Sequence, residues 1–188
     1  MWKLEPCARS AHEVVCILSV TEFTPATAPP IAPRAAFEEQ PSEITDIPTR
    51  PYRVLLVEDN AADVMIVEEI LAAQPVQFEI VLAIDGQEAI RILEALDGDA
   101  SLPGFDITLL DLNLPKHTGH EVLAELRKSH RSRHMPVIIV TSSRSPSDMK
   151  RAKELGATEY FEKVSDLDAY SALGSLVVQT IRRSRSAQ

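Results

Sequence analysis

Glu58 and Asp59, Asp111, Thr141 and Ser142, and Lys163 each stand at or beside the end of a short, mostly apolar run. The runs are Arg53–Val57 (R-V-L-L-V), Ile107–Leu110 (I-T-L-L), Pro136–Val140 (P-V-I-I-V) and Thr158–Glu162 (T-E-Y-F-E). If the runs are parallel strands, these polar groups converge on one edge of a sheet, where open α/β sheets place their reactive groups. Three carboxylates in one pocket repel one another unless a cation joins them. Oxygen ligands without His or Cys select a hard ion, and Mg²⁺ is the expected one. The lysine balances charge and offers donors to an anion, and Thr141 adds a hydroxyl. Together these are the parts needed to move a phosphoryl group onto Asp111. Singly they say less. An acidic pair after a strand is a favourable helix start, and a lone lysine is ordinarily solvated.

The elements that must position these groups follow from periodicity. A helix over about Ala62–Ala73 carries Val64, Ile66, Val67, Ile70 and Leu71 at helical spacing and stops before Pro75. Phe78–Ala83 is a second strand, which contributes no obvious site residue. After the Asp85-Gly86 turn, Gln87–Leu96 is a helix with Ala89, Ile90, Leu93 and Leu96 on one face. Glu121–Lys128 turns Val122, Leu123 and Leu126 inward. Ser145 or Ser147 caps a helix that runs through Leu155 and ends at Gly156 as a left-handed cap. Asp166 or Ser165 caps the last helix, with Leu167, Tyr170, Leu173, Leu176, Val177 and Ile181 as its apolar stripe. Five alternating strand–helix pairs imply an α/β fold, a doubly wound five-stranded parallel sheet of flavodoxin-like type with strand order 2-1-3-4-5.

Eight of the thirteen prolines fall in residues 1–51, and T-P-A-T-A-P-P-I-A-P (24–33) can neither form a helix nor bury much surface. Residues 1–50 therefore read as a disordered Pro-rich extension, with a fragment of order at Val14–Val20. Residues 51–183 read as the domain and 184–188 as a short flexible tail. A charge of −9 argues against direct nucleic-acid binding. Cys7 and Cys16 make no metal site and read as reduced thiols. No apolar run approaches a membrane span, and Val14–Val20 is short and flanked by acid for a secretory signal, so a cytoplasmic location is expected.

The motifs also carry a family resemblance. L-L-V-E-D-N (55–60), L-L-D-L-N-L-P-x-x-x-G (109–119), V-I-I-V-T-S-S (137–143) and Tyr160-x-x-Lys163 resemble the receiver domain of two-component response regulators, over about residues 52–183. The E-D-N start, the D-L-N-L-P text and the long loop before the third strand are similar to stand-alone receivers associated with bacterial phytochrome-type kinases. The resemblance implies that Asp111 is phosphorylated from a histidine of a sensor histidine kinase. Asp59, Asp111 and the Asn113 backbone carbonyl would bind Mg²⁺, with Glu58 assisting through water. Lys163 would pair with the phosphoryl group, Thr141 would swing toward it, Ser142 would leave room for it, and Tyr160 would change rotamer. Asn113 and Ser143 would border the path of attacking water. Phosphorylation adds charge and strong acceptors, so two arrangements of the strand ends change their balance. The face of the fourth helix, fifth strand and fifth helix (about 146–182) would be the readout surface, and a homodimer could form through it.

Two positions depart from the family pattern. Val164 stands where a cis proline is usual; a cis bond before valine costs about 2.5–4 kcal/mol, so a trans bond and a slightly repositioned Lys163 are expected. Thr118, preceded by His117, replaces a frequent Asp, and His117 and His120 read as surface loop residues, not ligands. The sequence thus describes a single-domain response regulator, not an enzyme beyond its own phosphotransfer and autodephosphorylation, which signals by contact with a downstream protein. The alternatives are a non-phosphorylated pseudo-receiver that acts as a binding module, and an aspartyl-nucleophile phosphatase. The second is disfavoured by Asn113, where such enzymes carry a second acid.

Overall fold

The computed structural model describes residues 50–164 and 170–186. Its strands are β1 (Tyr52–Val57), β2 (Phe78–Ala83), β3 (Ile107–Leu110), β4 (Val137–Thr141) and β5 (Glu159–Glu162). Its helices among the described residues are α1 (Ala61–Ala72), α2 (Gly86–Gly98), α3 (Gly119–Lys128), α4 (Pro146–Glu154) and α5 (Ala172–Ser186). All strand pairs are parallel and the order is β2-β1-β3-β4-β5. That is the doubly wound, flavodoxin-like arrangement expected.

Strand side chains alternate between two cores, as a two-residue period requires. Tyr52, Val54 and Leu56 of β1 join Ile107, Leu109, Ile138 and Val140 on one face, under α1 and α5. Leu55 and Val57 join Leu110, Val137 and Ile139 on the other, under α2, α3 and α4. The central strands β3 and β4 are buried at every position. On the first face Val64, Val67 and Leu71 of α1 meet Leu173, Val177 and Ile181 of α5. On the second, Ala89 and Leu93 of α2 meet Val122, Leu123 and Leu126 of α3.

Helix ends follow local chemistry. Asn60, Asp85 and Ser145 cap α1, α2 and α4, and Pro146 fills the first turn of α4, where its missing N–H costs nothing. Gly156 ends α4 at φ 91°, the left-handed cap expected. Helix α3 starts at Gly119, two residues earlier than the apolar pattern indicates, because Thr118 and Glu121 form a reciprocal capping box. His120 consequently lies in α3, not in a surface loop: it is buried, with Nε2 3.2 Å from the Asp148 carbonyl. Helix α5 continues to Ser186, past the boundary expected at 183, and its last turn is tied down by two ion pairs, Arg183 with Glu159 and Arg185 with Asp106. The expectations for residues 1–49, Ser165, Asp166, Leu167 and residues 187–188 lie outside the described residues.

Asp106 closes the edge of the sheet opposite the site. Its carboxylate accepts from Arg50, the Arg53 N–H and Arg185 at 2.8–3.0 Å. Arg50 thus belongs with the domain. Burial alone would push the Asp106 carboxyl up, but these donors outweigh it and hold it below its ordinary value of 3.8. A depressed carboxyl contributes stability above its unfolded value and loses it as pH falls toward the folded one. Asp106→Ala should lower the unfolding free energy by about 2 kcal/mol at neutral pH. In urea titrations that deficit should shrink as pH falls below about 3.8, where the unfolded chain takes up a proton that the native carboxylate still resists.

Candidate functional site

The carboxyl ends of β1, β3, β4 and β5 bring the expected residues to one edge. Lys163 continues past β5, its N–H donating to the Thr141 carbonyl at 2.8 Å. Its side chain is nine-tenths buried, and its ammonium donates to Glu58 Oε2 at 2.7 Å, Asp63 Oδ2 at 2.9 Å and Asp111 Oδ2 at 3.0 Å. Three donors meet three carboxylates, which saturates an ammonium. Burial would lower the Lys163 pKa, but its hydrogen bonds to Glu58 and Asp63 and the charge of Asp111 raise it well above the ordinary value, so it stays cationic. Burial pushes the Glu58 carboxyl up, and Lys163 only partly pulls it back.

Glu58 and Asp111 are buried and Asp59 is exposed, and one oxygen from each lies within 4.8 Å of the others. Like charges at that spacing repel by roughly 3–4 kcal/mol per pair in a medium typical of a protein surface. One ammonium does not offset four carboxylates, counting Asp63. The oxygen-only donors, their spacing and the residual negative charge fit a hard divalent cation. They line an open cleft of about 580 Å³ with Asn113, Ser142, Val164 and Tyr170. A larger groove of about 680 Å³, around Pro51, Leu71, Pro75 and Phe78, lies at the amino-terminal ends of β1 and β2, away from these groups.

The remaining expected residues fall into two sets. Asn113 is exposed, and its N–H donates to Asp111 Oδ1 at 3.2 Å. Thr141 is fully buried, and its hydroxyl accepts from the Ser143 N–H at 3.3 Å, while Ser142 is exposed at the mouth. Tyr160 points to the same loop, its hydroxyl donating to the Ser143 carbonyl at 2.9 Å. Ser143 Oγ donates to Asp148 Oδ2 at 2.6 Å, which ties the loop to the first turn of α4. No peptide bond is cis among the described residues, so Val164 follows Lys163 in trans, and it packs against the α1–α5 core.

Two further side chains at this edge carry no distinguishing signal in the sequence. Asp63 sits at the third position of α1, where an acidic residue is ordinary capping chemistry; nothing in its spacing tells it apart from one. Asp85 is buried just beyond β2 and pairs with Lys116 at 2.5 Å. The second strand therefore contributes after all, by holding the loop that follows Asp111. Lys116 takes φ 67° in that loop, the Gly86 N–H donates to the Pro115 carbonyl at 3.3 Å, and a Cβ on Gly86 would sit 2.2 Å from the His117 carbonyl oxygen.

The response regulator receiver domain family matches residues 54–172. The chain is 34% identical over 124 residues to response regulator Rcp1 of Synechocystis sp. (strain ATCC 27184 / PCC 6803 / Kazusa), covering 66% of this chain and 84% of that protein. It is 38% identical over 114 residues to a probable methanogenesis regulatory protein, FilR2, of Methanothrix harundinacea (strain 6Ac), covering 60% of this chain and 72% of that one. Among solved structures it resembles the phosphorylated cyanobacterial phytochrome response regulator RcpA, with a TM-score of 0.62 at 33% identity over 68% of this chain and 91% of that one. The Mn²⁺-bound form of Rcp1 gives 0.61 at 33% identity, over 67% and 91%. The chain belongs to the response regulator receiver domain family of two-component signalling, whose members bind a divalent metal and interact with histidine kinases.

Gly119 carries the geometry of the Asp111 loop. A Cβ there would sit 2.1 Å from the Asp111 carbonyl oxygen and 2.7 Å from Leu112 Cα, both backbone atoms that cannot step aside. Gly119→Ala should cost about 1–3 kcal/mol in urea unfolding, the range of overpacked sites. It should also weaken divalent-cation binding measured calorimetrically, because the displaced atoms carry Asp111.

Proposed function

We propose that this chain is a single-domain response regulator that takes a phosphoryl group from a kinase histidine onto Asp111 and signals by contact with a second protein. The observation that carries this reading is the triple hydrogen bond of Lys163, which gathers the Asp111, Glu58 and Asp63 carboxylates about one buried ammonium in an open cleft. Likeness to Rcp1 over 84% of that protein's length supports the single-domain reading. Likeness to RcpA, described as a phytochrome response regulator, favours a phytochrome-type kinase as donor.

The parts have distinct work in this proposal. Asp59, Asp111 and the Asn113 carbonyl would hold Mg²⁺, with Glu58 behind them. That ion would neutralise the excess negative charge that otherwise repels an incoming phosphoryl group. As the phosphorus–nitrogen bond of the phosphohistidine breaks, an Asp111 oxygen takes the phosphorus. Lys163 then exchanges its contact with Asp111 Oδ2 for a phosphoryl oxygen. Ser142, small and exposed, leaves the approach open, and Asn113 and Ser143 border the route by which water reaches the acyl phosphate.

Readout follows from the loop after β4. Thr141 would turn its hydroxyl toward the phosphoryl group and so give up the Ser143 N–H. Ser143 in turn holds the Tyr160 hydroxyl and the Asp148 carboxylate. One rotamer change therefore reaches β5 through Tyr160 and α4 through Asp148, and alters the surface formed by α4, β5 and α5, where a downstream protein or a second copy would dock.

Incubation with acetyl phosphate and Mg²⁺ should give an acid-labile, hydroxylamine-sensitive phosphate on the wild-type protein and none on Asp111→Asn, followed by intact-mass spectrometry. Asp59→Asn should retain the acceptor but need at least about tenfold more Mg²⁺, the scale of losses at metal sites. A wild-type protein that takes no Asp111-dependent label would instead be a pseudo-receiver, a binding module of the same fold.

A further inference from the structure

Lys163 divides its three hydrogen bonds unequally between two kinds of partner. Glu58 and Asp111 belong to the oxygen triad that fits a divalent cation; Asp63 does not. Ammonium and cation therefore compete for the same two carboxylates, and Asp63 is the one partner the ammonium can keep while the other two serve the cation. The placement suits this. Asp63 is held in the first turn of α1, whose start is fixed by the Asn60 cap. The same cleft also carries three apolar or aromatic side chains, Ile66, Val164 and Tyr170. Tyr170 is buried, and its hydroxyl makes no hydrogen bond among the described residues, to Lys163 or to any other group. Both side chains of the Lys163–Asp63 pair are largely withdrawn from water, and such a pair is worth more than one in the open.

We propose that Asp63 is a positioning residue that parks the Lys163 ammonium, releasing Glu58 and Asp111 to a divalent cation and setting how readily the ammonium is given up to a phosphoryl group. The second half rests on the phosphoacceptor reading of Asp111; the first does not. Two effects of opposite sign follow. Without the Asp63 carboxylate, Lys163 leans wholly on Glu58 and Asp111, and a cation must displace it from both. Once the cation is bound, the same ammonium has lost its parking partner and turns more fully to an anion on Asp111.

Asp63→Asn keeps the shape and removes the charge. Calorimetric titration should show Mg²⁺ affinity lower by about five- to tenfold, within the coupling expected of residues in contact. At saturating Mg²⁺, beryllofluoride, a phosphoryl mimic, should bind at least about threefold more tightly than to wild type, the scale of coupling between neighbouring side chains. A merely structural role would weaken both ligands together, and that result overturns the proposal. Loss of a nearby negative charge could by itself weaken Mg²⁺, so the same pair is measured with Lys163→Met. The proposal requires Asp63→Asn to change Mg²⁺ affinity by no more than about twofold in that background; an undiminished effect there overturns it. If wild type binds no beryllofluoride and takes no Asp111 label, the phosphoacceptor reading fails, and the Mg²⁺ comparison still decides the role of Asp63.

Discussion

A single buried ammonium shared among three carboxylates is the constraint on which the site depends. Lys163 lies 52 residues from Asp111, 100 from Asp63 and 105 from Glu58 in sequence, yet bonds all three within 3.0 Å. Buried like charges cannot be gathered without such a centre, because the cost of removing each carboxylate from water is recovered only through a close, hydrogen-bonded counter-ion. The neutralisation is incomplete, and that shortfall is the functional point. A fully compensated cluster would have no need of a divalent cation, whereas an excess of negative charge held in fixed positions favours one and waits for it.

The fold supplies the precision. Parallel register places Val57, Leu110 and Ala83 side by side, so the residues that follow them leave the sheet at one level. Beyond that edge the chain is loop, and its position rests on a second layer of contacts. The Asp85–Lys116 pair, the Gly86–Pro115 hydrogen bond and the close approach of Gly119 to the Asp111 carbonyl fasten the β3–α3 loop to its neighbours. At the opposite edge Asp106 draws together β1, the start of β3 and the end of α5. The sheet is clamped below, and above it these contacts fasten the loop that follows Asp111.

Much of this was legible in the residues because strands β3 and β4 are continuous apolar runs and each polar site residue interrupts or ends one. The two-residue period then decides which core a side chain enters, and the strand order follows from short crossovers. What escaped the sequence is what depends on distance alone. Asp63 looks like any acid in a first helical turn, and only the folded backbone turns it toward Lys163. Asp85 looks like a cap, which it is, and its pairing with Lys116 requires knowing that the β3–α3 loop passes over β2. His120 reads as a loop residue because the helix pattern begins at Val122; the Thr118–Glu121 capping box starts the helix earlier and turns the imidazole inward.

Val164 shows how such a site tolerates a departure. The usual proline shapes the loop after the lysine through a cis bond, and here a trans bond carries the chain onward while the valine side chain packs into the α1–α5 core beside Ile66 and Tyr170. Apolar contact thus takes over part of the anchoring that a backbone isomer would provide. Lys163 is held from both ends: by its N–H on the Thr141 carbonyl and by three carboxylates at its tip. The position of the ammonium is set by its acceptors more than by the peptide geometry behind it.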